Sequence, residues 1–344
     1  MTGERQAVAP RLTERTPSIS AAELAGTLVP PRQFDTASFE TYRPDRDYPS
    51  QGEALAKVRH FAEGWKPAKA GGFFSRGKKG PVAKPGIYLD GGFGVGKTHL
   101  LAALWHAAPG PKYFGTFIEY TALIGALGYA NAVQLFTGAK FIAIDEFELD
   151  DPGDTMLMTR FLGELVAKGT RLAATSNTPP NALGEGRFAA SDFLREIQAI
   201  ADRFDIVRID GLDYRRRDIE GHAVGFATDD ELAAAVELRA AAGERITSDG
   251  FDALVQHLGT IHPSRYVKMV DGLDVIALSG VTPFANQTDA LRFVAFVDRV
   301  YDAQIRILAS GAPLDEVFAG DMMNGGYRKK YLRAVSRLIA SATV

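Results

Sequence analysis

Residues 91 to 98 read Gly91-Gly92-Phe93-Gly94-Val95-Gly96-Lys97-Thr98, the G-x-x-x-x-G-K-[ST] spacing of a phosphate-binding loop. Glycine is needed there because backbone N–H groups must wrap a β-phosphate at close range, and side chains would block that approach. The loop is expected to open a helix whose positive end faces the phosphates. Lys97 would reach the β and γ oxygens, the Thr98 hydroxyl would serve a magnesium ion, and His99 would complete the nucleotide contacts.

A second run, Phe141-Ile142-Ala143-Ile144-Asp145-Glu146, is apolar and ends in two carboxylates. Asp145 suits a place beside magnesium, and Glu146 suits orienting and polarising an attacking water. Adjacent carboxylates of this kind favour hydrolysis over transfer to a substrate hydroxyl. A third run, Arg171 to Asn177, ends in Thr175-Ser176-Asn177. If its strand lies beside the strand of the phosphate loop, Asn177 reaches the γ-phosphate or the water. Three arginines follow, Arg187, Arg195 and Arg203. Arg203, just ahead of the last strand, is the best placed to enter a neighbouring subunit's site and stabilise transition-state charge. Arg215-Arg216-Arg217, Arg333 and Arg337 are further candidates for a γ-phosphate contact.

The elements that must position these groups follow from pattern. Short apolar runs at Ile87–Leu89, Tyr113–Ile118, Phe141–Ile144, Leu172–Thr175 and Ile206–Ile209 alternate with helical stretches, which indicates buried parallel strands with crossover helices. The expected fold is α/β: a P-loop NTPase of AAA+-like type with a five-stranded parallel sheet and helices on both faces, followed by a mostly helical C-terminal lid. Residues 1–34 read as a flexible arm with one short helix near Ser20–Ala25. Residues 35–222 form the nucleotide-binding core, with a helix from about Gln51 to Glu63 and an exposed basic loop at 65–84. Residues 223–344 form the lid, with a strand at Val275–Leu278 and a long amphipathic helical stretch from Thr288 to Leu308.

Composition sets the outer limits. A length of 344 residues calls for a core domain plus an appended one. A formal net charge of −3 favours neither bulk nucleic-acid binding nor an acidic tail. The absence of cysteine excludes disulfides, thiol nucleophiles and zinc–cysteine sites, and fits a reducing compartment. The polar, charged start and the lack of any uninterrupted run of 18 apolar residues give neither an export signal nor a membrane span. The sequence thus reads as that of a cytoplasmic protein.

With the phosphate loop, Asp145-Glu146, Thr175-Ser176-Asn177 and Asp213-Tyr214-Arg215 in this order, the chain resembles the ZapE family of AAA+-like ATPases. The match extends to Phe293–Asp302, Ser310–Phe318 and Arg333–Leu338. It departs at Asp90, where that family usually has tyrosine, and at Gly186-Arg187-Phe188-Ala189, where a Gly-Leu-x-Arg motif is usual. The resemblance implies ATP rather than GTP, together with Mg2+. It further implies a role in bacterial cell division, recruitment to the division site, and FtsZ or another division protein as partner. A nucleotide-dependent homo-oligomer follows if an arginine is supplied in trans. The competing reading is a DNA-linked ATPase of the helicase-loader or initiator type, for which the sequence offers neither a helix-turn-helix nor a basic stacking surface.

Overall fold

The computed structural model describes residues 9–18, 20–65, 84–149, 152–179, 183, 194–212, 222–325 and 327–342. Nearly all of the expected basic loop therefore lies outside the described residues. The chain divides into two compact units: Ala21–Pro30 with Phe34–Arg216, and Met1–Ser20 with Pro31–Gln33 and Arg217–Val344.

The first unit begins with α1 (Ala21–Gly26) and α2 (Pro49–Glu63), followed by β1 (Gly86–Gly91) and α3 (Lys97–Ala107). Next come β2 (Lys112–Thr116), α4 (Phe117–Leu127), α5 (Tyr129–Phe136), β3 (Phe141–Asp145) and α6 (Pro152–Ala167), and finally β4 (Arg171–Ser176), α7 (Leu194–Ala201) and β5 (Phe204–Ile209). The sheet order is β2-β3-β4-β1-β5, all parallel. The expected five-stranded sheet is present, and β4 does lie beside β1. Alternation along β1 sends Ile87 and Leu89 into a core with Leu100, Leu101 and Leu104 of α3 and Ala54 and Val58 of α2. Tyr88 points to the opposite face, where it meets Phe147 and Phe204 edge-on.

One expected boundary moves. The apolar run Tyr113–Ile118 stops being strand at Thr116, because Thr116 and Glu119 form a capping box: the Glu119 carboxylate accepts the Thr116 N–H at 2.7 Å and the Thr116 hydroxyl accepts the Glu119 N–H at 3.3 Å. Satisfying those helix N–H groups starts α4 at Phe117.

The second unit contains α8 (Asp229–Ala241), β6 (Ile246–Gly250), α9 (Phe251–Leu258), α10 (Tyr266–Met269), β7 (Val275–Val281), α11 (Gln287–Asp302), β8 (Arg306–Gly311) and α12 (Arg328–Ser341). Helix does outweigh strand here, as expected, but the one foreseen strand is the centre of a three-stranded parallel sheet, β6-β7-β8. One face carries α9, α11 and α12 over Ile276, Leu278 and Ile307, and the other carries α8 over Val275, Ala277 and Leu308. The expected helical stretch Thr288–Leu308 is two elements. The helix ends at Asp302, Gln304 takes a positive φ of 57°, and Ile305 and Ile307 turn into the core.

The expected flexible arm is also corrected over residues 9–18, which are bound into the second unit. Ala9 N–H donates to Ile246 O at 2.8 Å, and the Asp249 carboxylate accepts the Leu12 and Thr13 N–H groups at 2.9 and 3.0 Å. Leu12 is wholly buried. No period in the sequence reveals this, because a single carboxylate 237 positions away holds the turn.

Arg333 and Arg337, expected as phosphate contacts, are instead committed to Asp298 across the α11–α12 packing. Arg333 Nη2 donates to Asp298 Oδ2 at 2.7 Å, and Arg337 donates to the other oxygen. Burial pushes the Asp298 carboxyl up, but the charges of Arg333, Arg337 and Arg299 and the Arg337 hydrogen bond outweigh it and hold it at about 2, against an ordinary 3.8. A carboxylate lowered in the folded state stabilises fully above its unfolded value and loses that contribution as pH falls through its folded one. We expect about 2 kcal/mol of stability to be lost between pH 4 and pH 2 on this account. In Asp298→Asn that slope should flatten, with about 3–5 kcal/mol lost near neutrality because two cations lose their partner. Urea melts of both proteins from pH 2 to pH 7 check both.

Candidate active site

In a parallel sheet every β-to-α turn emerges at the same end, so β1, β3 and β4 deliver their terminal residues to one place. Gly91 closes β1 and begins the loop. A Cβ on Gly91 would sit 2.2 Å from the Ile209 carbonyl oxygen of β5, so only glycine fits between the paired strands. Gly96 has φ +84°, a region natural to glycine, and a Cβ there would meet the Tyr42 ring at 2.5 Å. The loop is pinned from that same side by the Tyr42 hydroxyl, which donates to Val95 O at 3.0 Å. Burial pushes the Tyr42 phenol up to about 12, so it remains a donor throughout the ordinary pH range.

Lys97 starts α3 and is buried. Its ammonium donates to Gly91 O at 2.9 Å, to Gly92 O at 2.5 Å and to Asn177 Oδ1 at 2.9 Å. Lys97 and Asn177, both expected at the γ-phosphate, are thus in direct contact, although 80 positions separate them. One residue on, the Thr98 hydroxyl lies 3.1 and 3.2 Å from the two Asp145 carboxylate oxygens. Burial raises the Asp145 carboxyl above its ordinary range, and the nearby Glu146 charge raises it further. Hydrogen bonds from Thr175 and Thr98 and the charge of Lys97 pull the other way.

Thr98 and Asp145 fit a magnesium ion. They are hard oxygen donors within 3.1 Å of each other at the mouth of a phosphate loop, and magnesium characteristically takes one or two protein oxygens, with phosphate and water completing its shell.

Glu146 has φ 54°, one of two non-glycine residues with positive φ among the described residues. Such a backbone costs about 1–3 kcal/mol and persists only where neighbours enforce it. The Glu146 N–H donates to Thr175 Oγ1 at 3.1 Å, and the Phe147 N–H donates to Thr175 O at 2.6 Å. Just past the end of β3, two successive backbone N–H groups are thus held by the one residue Thr175.

Other expected residues fall elsewhere. Phe93 and Gly94 form the loop's turn, Gly94 with a positive φ of 71°, and Gly92 links that turn to β1. His99 accompanies the loop without facing along it. One helical residue past Thr98, its ring has turned about 100°, and Nε2 lies 3.0 Å from Ser38 O and 3.1 Å from Thr41 Oγ1, with the Tyr42 ring beside it. It therefore braces residues 34–42 against the loop. Arg203 precedes Phe204, which pairs with Gly86 at the start of β1, so about 17 Å of strand separates it from the loop. Arg195 is exposed on α7, and Arg187 and Arg215–Arg217 lie outside the described residues.

Sequence reasoning missed Tyr42 and Thr175, and it noted Asp90 only as a departure from pattern. Asp90 is buried and takes an ion pair from Arg208 Nη1 at 2.9 Å, joining the end of β1 to β5. The acid directly before Gly91 was the available signal.

A family model described as AFG1-like ATPase matches residues 19–241 and 227–343. Over 291 residues the chain is 28% identical to "Cell division protein ZapE" of Escherichia coli (strain K12), spanning 74% of this chain and 76% of that protein. It is 23% identical over 225 residues to "Lactation elevated protein 1 homolog B" of Danio rerio, spanning 56% of this chain and 44% of that one. Among solved structures, AMPPCP-bound DnaA from Aquifex aeolicus is 14% identical and aligns over 60% of this chain and 63% of its own, with a TM-score of 0.40.

Gly91 and Gly92 should separate under mutation. Gly91→Ala forces a methyl against the β5 backbone and should lower stability by about 1–3 kcal/mol. An added Cβ at Gly92 meets nothing within 4 Å, so Gly92→Ala should melt with the wild type. Thermal unfolding of the two variants side by side is the measurement.

Proposed function

The chain belongs to the AFG1-like ATPase family and is an ATPase, and from that premise we propose that it hydrolyses Mg-ATP to act on a partner protein of bacterial cell division. The observation that carries the chemical part is the convergence of Lys97 with Asn177 and of Thr98 with Asp145 at one end of the sheet. Loop N–H groups and Lys97 bind the β and γ phosphates. Thr98 and Asp145 would hold the magnesium ion, which would supply positive charge to offset that of the phosphate oxygens. Glu146 orients water and accepts its proton, and Asn177 fixes the γ-phosphate.

Arg203 is assigned to a neighbouring subunit's site. It stands at the end of β5 opposite the loop and so cannot reach its own phosphates, although its guanidinium donates to Ala199 O and would have to leave that contact to enter a neighbour's site. A nucleotide-dependent assembly of this chain follows from that assignment. The division role rests on the Escherichia coli relative, and FtsZ is the partner to try first. Among the described residues no helix is long and apolar enough to cross a membrane.

Steady-state ATP hydrolysis tests the reading. Glu146→Gln should retain nucleotide but lose about 100-fold or more in turnover, whereas Lys97→Ala should lose nucleotide binding itself. Arg203→Ala should be inactive alone and regain activity when mixed with Lys97→Ala, because each supplies what the other lacks. Light scattering of Glu146→Gln should show a larger species with ATP. Undiminished turnover in Glu146→Gln would overturn the chemical assignment, an unchanged monomer would overturn the trans arginine, and hydrolysis indifferent to FtsZ polymers would remove that partner.

A further inference from the structure

The end of β3 poses a problem that Asp145 and Glu146 cannot solve themselves. The backbone ladder between β3 and β4 runs from Phe141↔Arg171 to Ile144↔Ala174 and then stops. Beyond it, one carboxylate must stay turned toward Thr98 and the next residue must hold a left-handed backbone. Both requirements fall on a single atom, the Thr175 hydroxyl oxygen.

We propose that Thr175 is a positioning residue for hydrolysis, whose one hydroxyl sets the geometry of the Asp145 carboxylate and of the Glu146 backbone together. The inference rests on the roles given above to those two acids. Proton accounting supports it. A threonine hydroxyl has one proton and two lone pairs. The Glu146 N–H can only donate, so at 3.1 Å it takes a lone pair of Oγ1. The hydroxyl proton goes to Asp145 Oδ1 in a short hydrogen bond. Every polarity in the chain from Glu146 N–H through Oγ1 to Asp145 is thereby fixed, with no alternative rotor setting that satisfies both partners.

Three further features make this a device rather than an incidental contact. Thr175 is 2% exposed, so water does not compete for its hydroxyl. The second methyl-bearing branch stiffens χ1, so the hydroxyl is held in one direction. The Phe147 N–H donates to the Thr175 carbonyl, anchoring the chain on the far side of Glu146. Glu146 is therefore gripped on both sides by one residue of β4, the same strand that ends at Ser176 beside Asn177. The two strands that carry the reacting groups are coupled through that residue.

Thr175→Val keeps shape and strand preference while removing the hydroxyl, and Thr175→Ser restores the hydroxyl without the methyl. We expect Thr175→Val to lose about 100-fold in kcat, the scale of a catalytic group displaced by about an ångström, with the KM for ATP within about threefold of wild type. Thr175→Ser should recover to within about tenfold of wild type. Binding of a fluorescent ATP analogue in EDTA should be unchanged in Thr175→Val, while the gain in affinity on adding magnesium should shrink, a readout independent of turnover. A purely structural threonine would instead lower the melting temperature and EDTA binding together and leave kcat per binding-competent site unaltered. That result, or wild-type turnover in Thr175→Val, overturns the proposal. Should Thr175→Val fail to fold, Thr175→Ala against Thr175→Ser gives the same comparison, with equal turnover in the two overturning it. Glu146→Gln run in parallel separates the levels: if it turns over normally the assignment of the acids has failed, and if it is inactive while Thr175→Val is normal only this inference has.

Discussion

A carboxyl group buried at the end of a strand is the constraint around which most of the candidate site is arranged. Asp145 sits buried at the end of β3, where removal from water opposes its ionisation. Two hydroxyls and an ammonium offset part of that cost, and they come from two segments: Thr98 and Lys97 from the start of α3 after β1, and Thr175 from β4. The sheet order places β4 between β3 and β1, and that interleaving makes the answer available. Had β1 and β3 been neighbours, β4 would not stand between them to support both the acid and, through Asn177, the lysine.

The second unit meets a similar problem with different chemistry. Asp298 is buried on α11 and is compensated by full charges from Arg333 and Arg337 on α12. The contrast is physically sensible. Hydroxyl donors only partly offset the burial of Asp145, whose carboxyl stays above its ordinary range, whereas paired arginines hold Asp298 well below it and make it a fixed cross-link between helices.

Glycines and aromatic residues complete the loop's rigidity. The β1–β5 pairing leaves no room for a Cβ at Gly91, and Tyr42 fills the space that a Cβ at Gly96 would need while holding Val95 by hydrogen bond. His99 secures the segment that brings Tyr42 in. The loop is therefore preformed by its surroundings, and less ordering remains to be done when phosphate arrives.

The fold of the first unit and its Lys97, Thr98, Asp145 and Asn177 cluster were legible in the sequence because each signal is contained in one short segment. Five apolar runs announce buried strands, the glycine-rich spacing announces the phosphate loop, and parallel topology then sends the strand ends to one edge. The capping box at Thr116 is a local Thr-x-x-Glu signal that was there to be read, whereas the break of the Thr288–Leu308 stretch into helix and strand and the fate of His99 needed the structure, since each turns on which neighbours a residue meets. The same holds more strongly for Thr175 with Asp145 and Glu146, for Asp90 with Arg208, for Leu12 with Asp249, and for the two arginines taken by Asp298. Those pairs are separated by 29 to 237 positions, and no local period or motif records them. Sequence determined which groups the site possesses, because chemistry is carried by residue type and local spacing. Tertiary structure alone decided how they are held, because the compensation of buried charge is a matter of which side chains from distant segments arrive at the same few ångströms.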